Sequence, residues 1–507
     1  MHQNRPVIRA RLILVPVVAA LLGFVDMPRS HCAADWQFAL FPPGWHPAPR
    51  RIFSETGHKS GQPPEKNVAD AANSLIAVVP RGGPSTSPPP KDNSTAKPSP
   101  AAPVAPKPAP AGPRSPAPVG QGMPAFDEIM NNALKAHSIP GGALAIAKDG
   151  KLLVARGYGL ANVQTREPVT LDTLFSTATV TRTITAAAVL HLVDQGKLSL
   201  DDPIYPLLGK PRPLGQPAID PQVEKITVRH LLLHAGGWNT KYHTDALHQT
   251  KKIARATTEK LPLSVDAVLR YGLSQPLDFA PGAETHYSNF GYFVAKVVLE
   301  RCARQPYESY VRRQVLRPMG IREMRIEQLA PAYAVGEAHR YGAGGRELPG
   351  GREAIAAPAG NWLASVVDLT RFLTAVSGTR GKPFLGTDAR RQMLAVPPPP
   401  LTPRRGGSHI GLGWDSVTEE SRGMQFYKRG VVVGVRTHIE HRSDGIDWVL
   451  LLNSEGQVQD RPPAVVEIID KIRQAIDATR DWPDRNLFES PAVAPAPKQK
   501  PTGSVVL

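Results

Sequence analysis

Apolar and polar positions change their spacing along the chain, and these changes predict one folded unit over residues 123–480. Short apolar runs near both ends of this unit predict strands, and apolar positions at helical spacing between them predict helices. Strands at both ends with helices inserted between them indicate a single antiparallel sheet. We therefore expect an α/β fold with an antiparallel sheet built from both chain ends, helices on both of its faces and a helical subdomain at one side.

Turn sequences divide the predicted strands into two hairpins. Asp149-Gly150 separates the first two strands and Ser443–Gly445 the last two, and Asp-Gly between apolar runs is a strong hairpin signal. The predicted strands are Gly142–Ala147, Lys151–Ala155, Val431–His441 and Ile446–Leu452. The predicted helices are Phe126–Ala136, 179–195 and Val465–Ala478.

The helix predicted over 179–195 is the element around which the rest of the unit is organised. Gly196 supplies a helix stop. Thr179 stands at the head of the helix and Arg182 follows one turn later, and a hydroxyl beside a cation in this layout is used for covalent acyl transfer. The apolar stripe expected to face the core is Ile184, Ala187, Ala188 and Leu192.

The first 34 residues have the pattern of an export signal. Three arginines precede a run of 14 residues, Leu12–Val25, that only Pro16 interrupts. This run is shorter than the roughly 18–20 residues that a membrane-spanning helix needs. We therefore predict a signal peptide or a short membrane anchor over 1–34, and with it a location in the periplasm or cell envelope.

The segments that flank the folded unit are rich in proline. Fourteen of the 39 residues from Pro80 to Pro118 are proline, so residues 80–122 are predicted to be an extended spacer that buries no core. Residues 481–507 have a similar composition and are predicted to be a tail. Residues 35–79 carry no pattern from which we assign a structure or a function.

Charge and composition exclude several functional classes. The net charge of +16 favours anionic surfaces, but no zinc spacing, RNA-binding signature or arginine-rich helix accompanies it, so nucleic acid is not an expected partner. Cys32 and Cys302 are too few for a disulfide framework. His230 and His234 have the spacing of a metal pair on a helix, but no third ligand is evident, so we predict neither a metal nor a cofactor.

Several motifs appear together and in a fixed order. They resemble those of the serine β-lactamase-related family, which contains class C β-lactamases, DD-peptidases and related esterases. The resemblance implies a β-lactamase/DD-peptidase-like, penicillin-binding-like fold over about 125–480. The matching segments are Gly157–Asn162, Pro168–Phe175, Leu192–Pro203, Ile226–Gly237, Pro281–Tyr292, Ala359–Ser365 and Gly411–Trp414.

Both catalytic positions of the family's first motif, S-x-x-K, differ in this chain. The resemblance places Thr179 where the serine attacks an acyl carbon, and Arg182 where the lysine takes its proton. A base at neutral pH needs a pKa near 7, about 3 units below that of lysine but about 6 below that of arginine. Arginine does not lose its proton in proteins, so Arg182 can be a permanent cation but not a base.

The second motif, Tyr-x-Asn, is intact as Tyr287-Ser288-Asn289. The resemblance implies that Tyr287 is a general-base partner and that Asn289 orients the substrate, with Ser288 among the substrate-binding residues. A cation beside a phenol lowers its pKa, so Arg182 could hold Tyr287 as a phenolate. The alternative, weighed equally, is that Tyr287 and Asn289 persist only as hydrogen-bonded structure.

The third motif, a K-x-G frame, is Lys428-Arg429-Gly430 before the strand that begins at Val431. The resemblance implies a catalytic role for Lys428, a close substrate approach at Gly430, and an oxyanion hole from the backbone N–H groups of Thr179 and Val431. Arg429 replaces a small hydroxyl residue and is expected to crowd or recharge the site. The alternative is a solvated basic strand end.

These residues predict an exported serine-hydrolase homologue whose acyl-transfer activity is impaired or lost, a pseudoenzyme in its first motif. One alternative is an active esterase or peptidase in which Thr179 attacks and Tyr287 is the base. Another is a non-catalytic binder in which Arg182, Arg429 and Lys428 hold a carboxylate ligand such as a peptidoglycan stem peptide. The expected partners are small acyl or peptide molecules, and the N-terminus adds possible contact with a membrane.

Overall fold

The computed structural model describes residues 119–212, 214, 220–240, 245–327, 332–351, 362–401, 407–456 and 463–490. The segments predicted as export signal (1–34), N-terminal segment (35–79), most of the spacer (80–118) and most of the tail (491–507) lie outside these residues. In the part of the chain that is described, no helix is long and apolar enough to cross a membrane.

Twelve strands are present in the described residues, and all ladders between them are antiparallel. They are β1 (Val119–Gln121), β2 (Gly141–Lys148), β3 (Lys151–Asn162), β4 (Glu167–Pro168), β5 (Phe175–Ser176), β6 (Arg325–Ile326), β7 (Trp362–Ala364), β8 (His409–Gly411), β9 (Trp414–Glu420), β10 (Gly423–Val432), β11 (Val435–His441) and β12 (Ile446–Leu452).

The helices lie mainly between the two groups of strands. They are α1 (Pro124–Ala136), α2 (Thr181–Asp194), α3 (Ile204–Leu207), α4 (Val228–Leu232), α5 (Thr250–Thr257), α6 (Val265–Leu273), α7 (Asn289–Ala303), α8 (Tyr307–Tyr310), α9 (Val366–Ser377), α10 (Thr387–Leu394) and α11 (Ala464–Ala478). A π-helical turn, Val311–Leu316, continues α8.

The main sheet confirms the expected antiparallel sheet from both chain ends. Its order is β1-β3-β2-β12-β11-β10-β9-β8, with β4 beside β3. The central pair joins β2 from the start of the unit to β12 from its end, with Leu450 opposite Leu144. Both predicted hairpins form, at Asp149-Gly150 and at residues 443–445.

Helices cover both faces of the sheet. On one face, α1 and α11 bury a cluster that includes Phe126, Trp448 and Ile468. On the other face a larger cluster joins the sheet to α2, α7 and α9 and continues into the helical part of the chain. Side chains alternate between the two faces along each strand, so successive residues of β10 belong to different environments.

Three boundaries and the burial of one helix differ from the sequence-based expectation. Val119–Gln121, assigned to the end of the spacer, pairs with β3, because its extended backbone satisfies the outer edge of that strand. The predicted strand 431–441 is two strands, since Gly434 takes a positive φ of 75° and turns the chain. The predicted tail starts too early, because Leu487 and Phe488 are buried in the core. Helix α2 is buried on almost every side rather than along one stripe.

The complete burial of α2 explains its threonines. Thr183 Oγ1 donates to the carbonyl of Gly413 at 2.7 Å, and Thr185 Oγ1 donates to the carbonyl of Thr181 at 3.0 Å. Each hydroxyl is thus hydrogen-bonded inside the core, as a buried polar group must be. The helix is fixed on all sides, and the turn at its head is fixed with it.

Candidate active site

The candidate site begins at the tight turn Ala178–Val180, a 3-10 turn that leads into α2. Ala178 has a positive φ of 45°, a conformation uncommon for a residue with a side chain. The half-buried hydroxyl of Thr179 donates a hydrogen bond to the backbone carbonyl of Arg429 at 2.9 Å. The structure therefore brings the predicted nucleophile to the edge of β10, and its proton points at a carbonyl that is not a base.

Arg182 lies one turn further along α2 and is fully buried. Its Nη2 donates to the hydroxyl of Tyr287 and to Oδ1 of Asn289 at 2.6 Å. The guanidinium carbon is 4.0 Å from the centre of the Tyr287 ring. Within the described residues, Nε and Nη1 have no hydrogen-bond partner, so this buried cation is only partly satisfied.

The Tyr287 hydroxyl is hydrogen-bonded to Arg182 and to Asn289, as the Tyr-x-Asn motif predicts. The surroundings of Tyr287 do not favour a phenolate. Burial raises the pKa of Tyr287, and the charge and hydrogen bond of Arg182 oppose this rise without cancelling it. The hydroxyl also donates to Asn289 Oδ1 at 3.1 Å. Arg182 does lower the pKa of Tyr287, but desolvation is the larger effect, which favours the alternative that Tyr287 and Asn289 persist as hydrogen-bonded structure.

Lys428 is buried under the same cleft and pairs with Asp415, with 2.5 Å between Nζ and Oδ1. Burial lowers the pKa of Lys428; Asp415 opposes this, while Arg182 lowers it further. Burial also acts to raise the pKa of Asp415, but Lys428 outweighs burial and holds it below its usual value.

The edge of β10 beyond Tyr427 is not paired by β9. The N–H of Arg429 points to that edge, where Asp415 Oδ2 accepts it at 3.0 Å, and its carbonyl accepts from Thr179. Because N–H groups in an antiparallel strand alternate between its two sides, the N–H of Val431 points to the same edge. The oxyanion hole formed by the N–H groups of Thr179 and Val431 stays a prediction, which the direction of the Val431 N–H supports.

Gly430 is a site of close approach. A side chain there would meet the backbone carbonyl of Thr177 and would lie 3.3 Å from Cβ of Ala178. The opposite strand approaches as well, at 3.0 Å from Cβ of Thr437. Glycine at position 430 therefore lets β10 lie against the turn that carries Thr179.

Two predicted site residues serve other purposes. The guanidinium of Arg429 lies over the Tyr427 ring, with 5.4 Å to its centre, on the sheet face that also carries His438. Lys428 and Gly430, the neighbours of Arg429 in the sequence, face the cleft instead. Arg429 therefore does not enter the cleft, but its charge still lowers the pKa of Lys428 and of Asp415. Ser288 is buried and its hydroxyl accepts the N–H of Gly291 at 3.0 Å, so it caps α7 instead of binding substrate.

Two residues that the sequence analysis missed hold Asn289. Asp245 Oδ2 accepts the N–H groups of Asn289 at 2.7 Å and of Phe290 at 3.0 Å, which fixes the start of α7. His248, exposed at the end of the next turn, has Nε2 3.5 Å from Nδ2 of Asn289. Asp245 was identifiable only as an isolated acidic residue, since nothing in its spacing indicates a helix cap 44 residues away.

The two histidines considered as a metal pair have separate structural roles. His230 Nδ1 accepts the N–H of Thr227 at 3.2 Å and completes the capping box of α4. His234 stacks on Tyr287 at 5.3 Å between ring centres, and burial and the nearby cations hold its pKa well below its usual value. His234 thus contributes a neutral wall behind Tyr287.

Comparisons with known proteins agree with this geometry. A family model described as Beta-lactamase matches residues 126–468. "Esterase EstB" of Burkholderia gladioli is 34% identical over 206 residues, which cover 40% of this chain and 52% of the esterase. The chain thus spans about half the length of that relative.

Solved structures match the fold over a larger share of the chain. A penicillin-binding protein homologue from Pyrococcus abyssi, described as octameric, has a TM-score of 0.56 at 24% identity, covering 72% of this chain and 79% of that one. "D-alanine Carboxypeptidase AmpC" from Burkholderia cenocepacia has a TM-score of 0.55 at 20% identity, covering 69% and 98%.

Replacement of Asp415 by asparagine tests how this site holds its buried cations. Asp415→Asn leaves Lys428 buried without a carboxylate, and we expect a loss of about 3–5 kcal/mol in the free energy of unfolding at pH 7. Because the pKa of Asp415 is lower when folded, its contribution is present above the unfolded pKa of about 4 and is lost as pH falls through the folded pKa. Urea unfolding at several pH values measures both effects.

The double variant Asp415→Asn/Lys428→Met is the matched control for this measurement. It removes the buried charge together with its partner, so we expect it to recover part of the stability lost in Asp415→Asn. Equal stability of the single variant and the original chain at pH 7 would mean that Lys428 is neutral in the folded protein.

Proposed function

The chain belongs to the beta-lactamase family and carries its serine-hydrolase scaffold, and from this premise we propose that its acyl-transfer activity is impaired or lost. One observation carries the proposal. In the described chain, the single hydrogen bond of the Thr179 hydroxyl goes to the carbonyl of Arg429. A hydroxyl becomes an effective nucleophile only when a nearby base takes its proton, and a backbone carbonyl does not.

The residue in the position of the base cannot supply the missing step. Arg182 carries a guanidinium, which has donors and no acceptor, and it donates to both Tyr287 and Asn289. Loss of a positioned base typically costs about 10²–10⁴-fold in rate. The extra methyl group of Thr179 restricts its rotamers and crowds the approach of an acyl carbon.

An active enzyme is the first alternative, with an ester as the substrate class because the relative EstB is named as an esterase. It would need Tyr287 to take the proton of Thr179. The bond from Arg182 favours a phenolate, but burial raises the pKa of Tyr287 overall. A phenol that is neutral at pH 7 is a poor base, so we favour the impaired enzyme.

Restoring both first-motif residues should restore reaction with an acylating probe. We expect Thr179→Ser/Arg182→Lys to be labelled by a fluorescent fluorophosphonate or penicillin at least about 100-fold faster than the original chain, because a lysine in this position can act as the base. Gel fluorescence against time measures the rate.

Thr179→Ala/Arg182→Lys is the matched control, with the base but no hydroxyl, and should remain unlabelled. Rapid labelling of the original chain that Thr179→Ala abolishes would establish the active enzyme instead. Failure of the restored variant to react would show that the defect lies beyond these two residues.

Binding of a carboxylate is the second candidate function, and the unsatisfied part of Arg182 favours it. Nε and Nη1 are buried with no hydrogen-bond partner among the described residues, and Lys428, which pairs with Asp415, is a second cation nearby. A hydrogen bond from a guanidinium nitrogen to a carboxylate is charge-assisted and stronger than a neutral one. A peptide with a free C-terminus, such as a peptidoglycan stem peptide, would supply that group.

A pair of matched peptides tests this candidate. We expect saturable binding of acetyl-D-Ala-D-Ala by isothermal titration calorimetry and binding at least about tenfold weaker for its C-terminal amide, since a hydrogen bond to a charged group is worth about 1.5–3 kcal/mol. Arg182→Gln should lose the distinction, whereas Arg391→Gln, at an exposed surface position, should keep it. Equal affinity for both peptides rules out the carboxylate site.

Export completes the proposal. The apolar run Leu12–Val25 after three arginines supports a signal peptide or a short anchor. We expect the full-length chain, expressed in a bacterium, to fractionate with the periplasm or the envelope, and Val17→Asp/Val18→Asp to leave it in the cytoplasm because two charges end the apolar run. A tagged chain found in the cytoplasm in both forms would contradict export.

A further inference from the structure

A cavity of about 290 Å³ lies behind the Tyr-x-Asn motif, between α5, α6 and the start of α7. Asp245, Ser288 and Phe290 are part of its wall, whereas Thr179 and Arg182 are not. The exposed side chain of Lys252 stands at its rim. This cavity is therefore a second space beside the cleft. Its volume is at the lower end of the range of volumes found for ligand sites, so it suits a small molecule with one ring.

The charges in the wall of the cavity select against ions. Asp245 and Asp278 are acidic and Lys252 is basic. Asp245 already accepts three backbone N–H groups, those of Leu247, Asn289 and Phe290, and Asp278 accepts the N–H of Asn239 at 2.7 Å. An anion would meet two carboxylates, and a cation would meet Lys252 and carboxylates already engaged by the protein. An uncharged ligand suits the cavity best.

Aromatic rings form another part of the wall. Trp238 meets Phe290 edge to face, with 4.9 Å between ring centres and 90° between planes, and Tyr271 lines the same space. Nε1 of Trp238 is buried and has no hydrogen-bond partner within the described residues. This N–H is not exposed to the cavity, so the ring of Trp238, and not its N–H, is what a ligand meets.

Side-chain amides complete the lining. Gln275 donates from Nε2 to the carbonyl of Tyr271 at 3.2 Å, which leaves its Oε1 to accept a hydrogen bond. Gln249 accepts the hydroxyl of Tyr271 at 3.1 Å. A ligand with several hydroxyl groups can donate to Gln275 while its C–H surface contacts the aromatic rings of Trp238 and Tyr271.

From these observations we propose that the cavity binds an uncharged, polyhydroxylated ring of the size of one sugar residue. The proposal goes beyond the function of the cleft, because the wall of the cavity does not include Thr179 or Arg182. Asp245 lines the cavity and also accepts the N–H of Asn289.

Tryptophan fluorescence with simple sugars tests the proposal. We expect D-glucose or N-acetyl-D-glucosamine to change the emission of the full-length chain in a saturable way, and Gln275→Ala and Trp238→Leu each to weaken binding at least about fivefold. Trp482→Leu removes a tryptophan that stacks on Phe126, on the other face of the sheet, and should keep binding unchanged. Gln275 is half-exposed, so its variant should fold even if Trp238→Leu does not.

The alternative outcomes are distinct. Absence of saturable binding for both sugars, or unchanged affinity in Gln275→Ala, overturns the proposal. Tighter binding of choline or acetate than of either sugar assigns the cavity to an ion and overturns it as well. Arg182→Gln should leave sugar binding unchanged, so failure of this proposal and failure of the carboxylate proposal for the cleft can be told apart.

Discussion

The bond from the buried guanidinium of Arg182 to Tyr287 and Asn289 is the constraint on which the rest of the site depends. A buried charge is tolerated only when hydrogen bonds and neighbouring dipoles replace water. Nη2 of Arg182 has two acceptors, and the Tyr287 ring faces the cation. Nε and Nη1 of Arg182 have no acceptor among the described residues. Every other group in the cleft must fit around a positive charge that cannot be removed.

The surroundings of Arg182 fit this constraint. His234 is held neutral beside Tyr287, which avoids a further cation, and Lys428 has its own carboxylate in Asp415. Helix α2 is buried on nearly all sides, so Arg182 cannot leave the cleft by a shift of its helix. The site therefore keeps the shape of an acyl-transfer centre while its proton chemistry is changed at one position.

Much of the fold was predictable because its signals are local. The Asp-Gly turns and the apolar runs fix both hairpins. Side chains of a strand alternate between its two faces, so the sequence could also have shown that Arg429 lies on the other face from Lys428 and Gly430. Ser288 precedes an apolar helix and could have been recognised as its cap. Asp415 and Asp245 could not be predicted, since each acts through a partner far away in the sequence, and the effect of burial on Tyr287 required the packed structure.

The edge of β10 beyond Tyr427 has a consequence that does not depend on catalysis. Native sheets usually protect their edges, because an open row of N–H and C=O groups accepts another extended chain. Here the row is engaged at Arg429 by two side chains, Asp415 and Thr179, and continues at Val431. An extended peptide can add to such an edge as one more strand, held by its main chain alone. Such an edge would bind the main chain of a peptide whether or not Thr179 reacts with it.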